Sequence, residues 1–189
     1  MLIDAHTHVR IGEDCEHNVV DLVKSLRKNG IDKAVVIADD PYDCTTEHLL
    51  EVIPPYQDML YPVAMLSPFY QLPSMYRFEG WLRRKEIFGA KFYPGYEHFY
   101  PGSPRFMKKF APYFKLLQKH NRPAMFHSGD LLLGDPNVVK PKLKYSLPIH
   151  IDDVATEAPE LKIIICHMGY PWVMDAAEVC YKNPNVSVD

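Results

Sequence analysis

The sequence alternates short apolar segments with longer amphipathic ones along its whole length. The short segments are rich in Val, Ile, Phe or Tyr, as β-strands are, and the longer ones have the spacing of helices that bury one face. This alternation is typical of repeated βα units around a mostly parallel sheet. It predicts seven strands, at residues 2–5, 33–37, 61–66, 88–93, 124–126, 162–166 and 185–188. It also predicts six helices, at residues 17–29, 46–58, 74–85, 105–120, 149–158 and 172–181.

Six complete βα units followed by a seventh strand leave two architectures open. An open doubly wound sheet explains the alternation without any missing part. An eightfold barrel typically needs about 250 residues, and this chain has 189, so a barrel would lack its last unit. The polar residues at the strand ends must decide between the two.

Composition narrows the range of partners. The net charge is -3 and the Lys and Arg residues are scattered, so nucleic acid is not an expected partner and small molecules are. No apolar stretch approaches the length of a membrane span or a secretory signal, so we expect a soluble protein without membrane partners. The four cysteines form no CxxC pair, which favours reduced thiols and a cytoplasmic location: Cys15, Cys44, Cys166 and Cys180.

Two histidines, His6 and His8, end the first predicted strand. The two-residue period of a strand points both imidazoles to the same side. Neutral imidazole is a ligand for transition metals such as zinc, and two ligands from one strand end need only one or two more from neighbouring strands. Taken alone, the pair is equally well explained as surface or loop histidines.

The fifth and sixth predicted strands also end in histidine, at His127 and His167. In a parallel barrel the carboxyl ends of all strands share one face, where active sites of this architecture are built. Four histidines are therefore expected to converge on that face. The alternative is that these histidines only cap strands and bind loop backbone. Five further histidines lie in or beside predicted helices and loops and are not assigned to the site: His17, His48, His98, His120 and His150.

Lys91 lies near the end of the fourth predicted strand, followed by Tyr93. Its ammonium could bind a substrate carboxylate, or a carboxylated lysine could bridge two metals. The third interpretation is a surface lysine whose stem packs on Tyr93. We treat Lys91 and Tyr93 as candidate substrate-binding residues, suited to an acidic and planar molecule, and do not assign Lys91 as a metal ligand.

Five motifs follow one another along the chain: IDAHTH, GAKFYPG, PAMFHSG, ELKIIICHMGYPW and NPNVSVD. Together they resemble the amidohydrolase-related family of metal-dependent hydrolases, in the branch that includes aminocarboxymuconate-semialdehyde decarboxylase and related lactone hydrolases. The resemblance extends over nearly the whole chain.

The resemblance implies an α/β fold, a TIM-type (β/α)8 barrel, here truncated after the seventh strand, with residues 1–189 as a single domain that lacks the eighth βα unit. It also implies one divalent metal, usually zinc with manganese as the alternative, held by His6, His8 and His127. His167 matches the histidine that orients or deprotonates the metal-bound water. The family's remaining ligand is an aspartate on the eighth strand, and Asp189 is not expected to replace it because Asp189 closes the seventh. A truncated product, a short variant completed by another chain, and a noncatalytic remnant are the three explanations for the missing segment.

The expected function is a metal-dependent hydrolase that activates water against a lactone, amide or ester. One alternative is a nonoxidative decarboxylase of an aromatic or unsaturated acid. A second alternative is a noncatalytic metal-binding remnant, for which the open edge of an incomplete barrel would favour a homodimer.

Overall fold

The computed structural model describes residues 1–9, 15–38, 45–132 and 140–189, except for the side chains of residues 15–17. Seven strands form one sheet in which each strand pairs in parallel with the next along the chain. The strands are β1 (Ile3–Thr7), β2 (Lys33–Ile37), β3 (Leu60–Met65), β4 (Gly89–Phe92), β5 (Ala124–Phe126), β6 (Ile163–Ile165) and β7 (Val186–Val188). The helices are α1 (Cys15–Lys28), α2 (Thr46–Val52), α3 (Met75–Arg84), α4 (Pro94–Glu97), α5 (Pro104–Lys119), α6 (His150–Glu157) and α7 (Val173–Lys182).

The sequential strand order decides between the two predicted architectures. A doubly wound sheet places its first strand in the interior and reverses direction there, whereas here β1 and β7 are the two edges. The chain therefore forms the first seven strands of a (β/α)8-type barrel, as expected. All seven predicted strands are present, and the predicted bounds of β2 and β5 agree with the structure.

The predicted helices differ from the structure in two places. The predicted helix at 46–58 ends at Val52, and a separate 3-10 turn follows at Pro54–Tyr56. Two consecutive prolines cause this break, because proline has no N–H to donate within a helix. The four-residue helix α4 was not predicted, since one turn is too short to show a periodic apolar face.

The strands alternate between two environments. One set of side chains packs outward against the helices, as in the contact of Phe92 with Phe110 of α5, where the ring centroids are 5.1 Å apart. The other set points into the barrel and includes Lys91, Met125 and Cys166. This alternation places chemically active side chains inside the barrel, towards the carboxyl ends of the strands.

Within the described ranges, no helix has the length and apolar character needed to cross a membrane. Cys166 and Cys180 are free thiols, whereas Cys44 and the side chain of Cys15 lie outside the described residues.

Candidate metal centre

The four histidines at the strand ends form one cluster. The ring centroids of His6 and His8 are 5.2 Å apart, and His167 lies 4.5 Å from His6 and 4.7 Å from His127. The parallel sheet brings them together because β1, β5 and β6 all end on the same face. The predicted convergence of these four residues is therefore present in the structure.

Three of these rings hold one nitrogen in a hydrogen bond to an oxygen that can only accept. His8 Nδ1 donates to the carbonyl of Ile37 at 3.1 Å, and His127 Nε2 donates to the carbonyl of Asp130 at 2.8 Å. His6 Nδ1 donates to Asp189 Oδ2 at 2.7 Å. A neutral imidazole has one donor and one acceptor nitrogen, so the lone pairs remain on His6 Nε2, His8 Nε2 and His127 Nδ1.

The environment keeps these imidazoles neutral at physiological pH. Loss of solvation and the charge of Lys91 lower the pKa of His8 and of His167 to about 4. Burial lowers the pKa of His127 well below its ordinary value, again with help from Lys91. Burial also lowers the pKa of His6, although the hydrogen bond to Asp189 acts in the opposite direction. Neutral rings are the form that binds metals.

Asp189, directly after β7, joins three strands. Its Oδ2 accepts from His6 at the end of β1, and its Oδ1 accepts from the backbone N–H of His167 at 2.6 Å. Burial raises the pKa of the Asp189 carboxyl, but these hydrogen bonds outweigh it and bring the pKa down to about 2. The side chain is therefore an ionised acceptor that links both edges of the sheet.

The backbone around His167 has an unusual conformation. His167 and Met168 have positive φ angles of 62° and 50°, in the left-handed region that side chains with a Cβ seldom adopt. The preceding loop approaches closely at Gly129, where φ is 82° and an added Cβ would overlap the backbone oxygen of Tyr170. These constraints fix His127 and His167 against each other.

Lys91 lies inside this cluster. It is fully buried, and its Nζ donates to Cys166 Sγ at 2.8 Å and more weakly to His6 Nε2 at 3.5 Å. The amine lies 5.2 Å from the ring centroid of Tyr93, whose hydroxyl donates to the carbonyl of Ala38. The interpretation of Lys91 as a surface lysine was therefore wrong, because β4 points it into the barrel.

The donor set suits a divalent metal. One ligand atom from each of His6, His167 and Asp189 lies within 4.8 Å of the others. This group shares only His6 with the predicted set of His6, His8 and His127. Imidazole nitrogens and carboxylate oxygens are usual ligands of zinc and related metals, so the chemistry of the cluster fits such an ion, although the three groups that meet most closely are not the three predicted ligands.

The sequence profile of the amidohydrolase family matches residues 3–189, almost the entire chain. The chain belongs to the amidohydrolase family. A curated relative of this chain, protein fluG of Emericella nidulans, is 30% identical over 69 residues, which cover 36% of this chain and 7% of the relative.

Solved structures share the fold of this chain. A TIM-barrel protein from Bordetella bronchiseptica has a TM-score of 0.74 at 17% identity, covering 99% of this chain and 74% of its own. Dihydroorotase from Saccharomyces cerevisiae has a TM-score of 0.69 at 21% identity, covering 100% of this chain and 55% of its own. The 5-carboxyvanillate decarboxylase from Sphingomonas paucimobilis has a TM-score of 0.62 at 11% identity, covering 99% of this chain and 78% of its own. The amidohydrolase chain thus spans about half to four fifths of these barrels, and a small part of its curated relative.

Two residues in contact with the histidine cluster were missed by sequence reasoning. Asp189 was set aside because it closes the seventh strand, yet its position at a strand end is the same signal that identified the histidines. Cys166 was noted only as a reduced thiol, although it directly precedes His167. Two histidines left unassigned, His98 and His150, donate to the carbonyls of Lys140 and Lys144.

Proposed function

We propose that this chain provides the metal centre of a hydrolase that acts on a small acidic substrate, a lactone, amide or ester. The observation that supports this most strongly is the set of three histidines that each donate one N–H and keep one lone pair. Histidines that bind metals almost always donate the other ring N–H to a carboxylate or a carbonyl, which fixes the tautomer and the ring orientation. His6, His8 and His127 all have such a partner.

His6, His8 and His127 would hold the ion, for which we propose zinc. A bound divalent metal supplies a Lewis acid that polarises a carbonyl and makes water easier to deprotonate near neutral pH. His167 lies between two of the proposed ligands, and its neutral ring can accept a proton from water and return it to the leaving group. Asp189 holds the backbone of His167 in place for that transfer.

Lys91 and Tyr93 would bind the substrate. A buried ammonium whose partners are a thiol and an imidazole can exchange either of these weak acceptors for a carboxylate, which is a much stronger one. The adjacent ring of Tyr93 offers a flat surface to a planar substrate. The structural neighbours are compatible with this class, since the dihydroorotase was solved with 5-fluoroorotic acid and the decarboxylase is named for 5-carboxyvanillate, both of them acids with a ring.

The metal content of protein purified without chelator tests the site. We expect about one equivalent of zinc or manganese in the wild type and its loss in the double variant His6→Ala/His8→Ala. A double variant His48→Ala/His120→Ala removes two histidines outside the cluster and should retain the metal. Metal-free wild type that is folded by circular dichroism would refute the proposal.

The reaction is tested with metal-loaded protein on a panel of ring-containing lactones, cyclic amides and aromatic acids. Hydrolysis of a lactone yields a new carboxylate and consumes base, hydrolysis of a cyclic amide yields a carboxylate and an amine, and decarboxylation releases carbon dioxide. Titration, amine detection and gas detection therefore separate the reactions. Turnover of lactones or amides that the His167→Ala variant loses would support hydrolysis. Release of carbon dioxide alone would replace hydrolysis with decarboxylation.

A further inference from the structure

Among the described residues, Asp189 is the only one whose carboxylate is hydrogen bonded to a ring nitrogen of the four clustered histidines. Its two oxygens have different donors. One is the backbone N–H of His167, which can only donate, and the other is the His6 ring, whose Nδ1 can donate or accept. The main chain of Asp189 is also held, because its N–H donates to Ile165 and its carbonyl accepts from Met168. The carboxylate therefore has a fixed position.

A carboxylate in this position selects one form of His6. Because an ionised carboxylate only accepts, the proton of the neutral ring must be on Nδ1, which leaves the lone pair on Nε2. His6 Nε2 faces the interior of the site, where it accepts from Lys91 Nζ. Without Asp189, the ring could place its proton on Nε2 and would lose its ability to bind a cation there.

We infer that Asp189 is a positioning residue that fixes the tautomer of His6, so that a metal ion is bound at His6 Nε2. The inference about the metal rests on the proposed function, whereas the inference about the tautomer stands on the two hydrogen bonds alone. Asp189 acts through its carboxylate oxygens, which are already bound to His6 and His167, and not as a ligand.

The substitution Asp189→Asn separates these roles. Asparagine offers one oxygen and one NH2 group at nearly the same positions. The backbone N–H of His167 needs the oxygen, so the NH2 group faces His6 Nδ1 and donates to it. The ring then accepts at Nδ1 and places its proton on Nε2, which displaces the long hydrogen bond from Lys91 Nζ. An amide in place of an orienting carboxylate is known to stabilise the wrong imidazole tautomer.

The tautomer is measured by nitrogen-15 NMR of histidine-labelled, metal-free protein at neutral pH, with His6 assigned from a His6→Gln variant. In the wild type we expect a protonated Nδ1 and an unprotonated Nε2, and in Asp189→Asn the reverse. Asp175→Asn removes the same charge from the exposed first turn of α7 and should leave the wild-type pattern. An unchanged His6 tautomer in folded Asp189→Asn would overturn the inference.

Zinc affinity provides the second readout. We expect Asp189→Asn to weaken zinc binding by about 10- to 100-fold and Asp175→Asn to leave it unchanged. Loss of affinity without a change of tautomer would show that Asp189 is a direct ligand, which also overturns the inference. Wild type that binds no zinc would refute the proposed function, and the NMR result would still decide the tautomer.

A second variant addresses poor folding of Asp189→Asn. Asp189→Ala leaves space for a small carboxylate, so formate should restore both the Nδ1 proton of His6 and the zinc affinity. Formamide offers only a neutral acceptor and also a competing NH2 donor, so it should restore both less than formate does. If the two additives had equal effects, or if formate had no effect, the proposed role of the carboxylate would be contradicted.

Discussion

The substitution Lys91→Met should stabilise the fold while it removes the proposed binding site for an acidic substrate. Lys91 is fully buried, and within the described ranges no carboxylate lies within ion-pair distance, 4.0 Å, of its Nζ. Its hydrogen-bond partners are the thiol of Cys166, a weak acceptor, and the more distant ring of His6. The loss of hydration of the ammonium is thus poorly compensated.

Methionine has a similar length and no charge, and it fills irregular space well. Replacing buried charges with apolar side chains of similar volume is often neutral or stabilising by a few kcal/mol. We expect the free energy of unfolding to rise by about 1 to 3 kcal/mol. For a chain of this length, each kcal/mol raises Tm by roughly 2 to 4 °C.

Urea unfolding in the presence of a chelator measures this effect on the metal-free protein, and calorimetric titration with orotate measures the binding of an acid by metal-loaded protein. Lys33→Met is the matched control, because Lys33 also lies over a tyrosine ring, that of Tyr61 at 5.0 Å, but is partly exposed at the other end of the barrel. Lys33→Met also removes the hydrogen bond from Lys33 Nζ to the Tyr61 hydroxyl at 2.7 Å, so its stability should fall by no more than about 1 kcal/mol. If Lys91→Met loses more than about 1 kcal/mol of stability, the ammonium stabilises the fold, and the argument that its loss of hydration is poorly compensated is refuted.

Three further outcomes follow from the packing and charge of other residues. Gly129→Ala should lose more than about 2 kcal/mol in urea unfolding, because its new Cβ would overlap backbone, whereas Gly30→Ala, also at positive φ but with no atom within 4 Å, should lose less. Asp152→Ala should lose about 1 kcal/mol, because its carboxylate accepts from Lys182 across α6 and α7. That hydrogen bond lowers the pKa of Asp152 in the folded protein. The stability that it provides is therefore present above pH 3.8, the ordinary pKa, and is lost as the pH falls through the lower pKa of the folded state. Urea unfolding of wild type and variant over a pH series measures this loss. Burial raises the pKa of the Cys166 thiol to about 12, so iodoacetamide should leave this thiol unmodified in the folded protein and alkylate it in urea. Mass spectrometry measures the alkylation, and rapid alkylation without urea would contradict the burial of Cys166.

The strands were predictable because each is a short apolar run between helices, and the bounds of Lys33–Ile37 and Ala124–Phe126 needed no further information. The convergence of the histidines followed from parallel geometry, since residues at the ends of parallel strands share a face whatever their distance along the chain. The helix ending at Val52 was overextended because apolar periodicity continued past the prolines that stop it.

The hydrogen bonds within the site were not predictable in the same way. His6 and Asp189 are separated by 183 positions and lie on the two edge strands, so their contact depends on how far the sheet curves. The contact of Lys91 with Cys166 depends on which residues of β4 and of the turn after β6 point inward at the same level. Neither curvature nor level is encoded in the local pattern of apolar and polar residues.

These contacts connect the two halves of the proposed site. His6 Nε2 can serve as acceptor for Lys91 or as ligand for a metal ion, but one lone pair cannot do both. When His6 Nε2 binds the metal, Lys91 loses that acceptor and retains only the thiol of Cys166. Lys91 then binds a substrate carboxylate more favourably than it does in the metal-free protein. Because binding free energies are reciprocal, an acid bound at Lys91 must then favour the metal to the same degree. The buried ammonium that opposes metal binding in the absence of substrate thereby becomes the group that couples the metal to an acidic substrate.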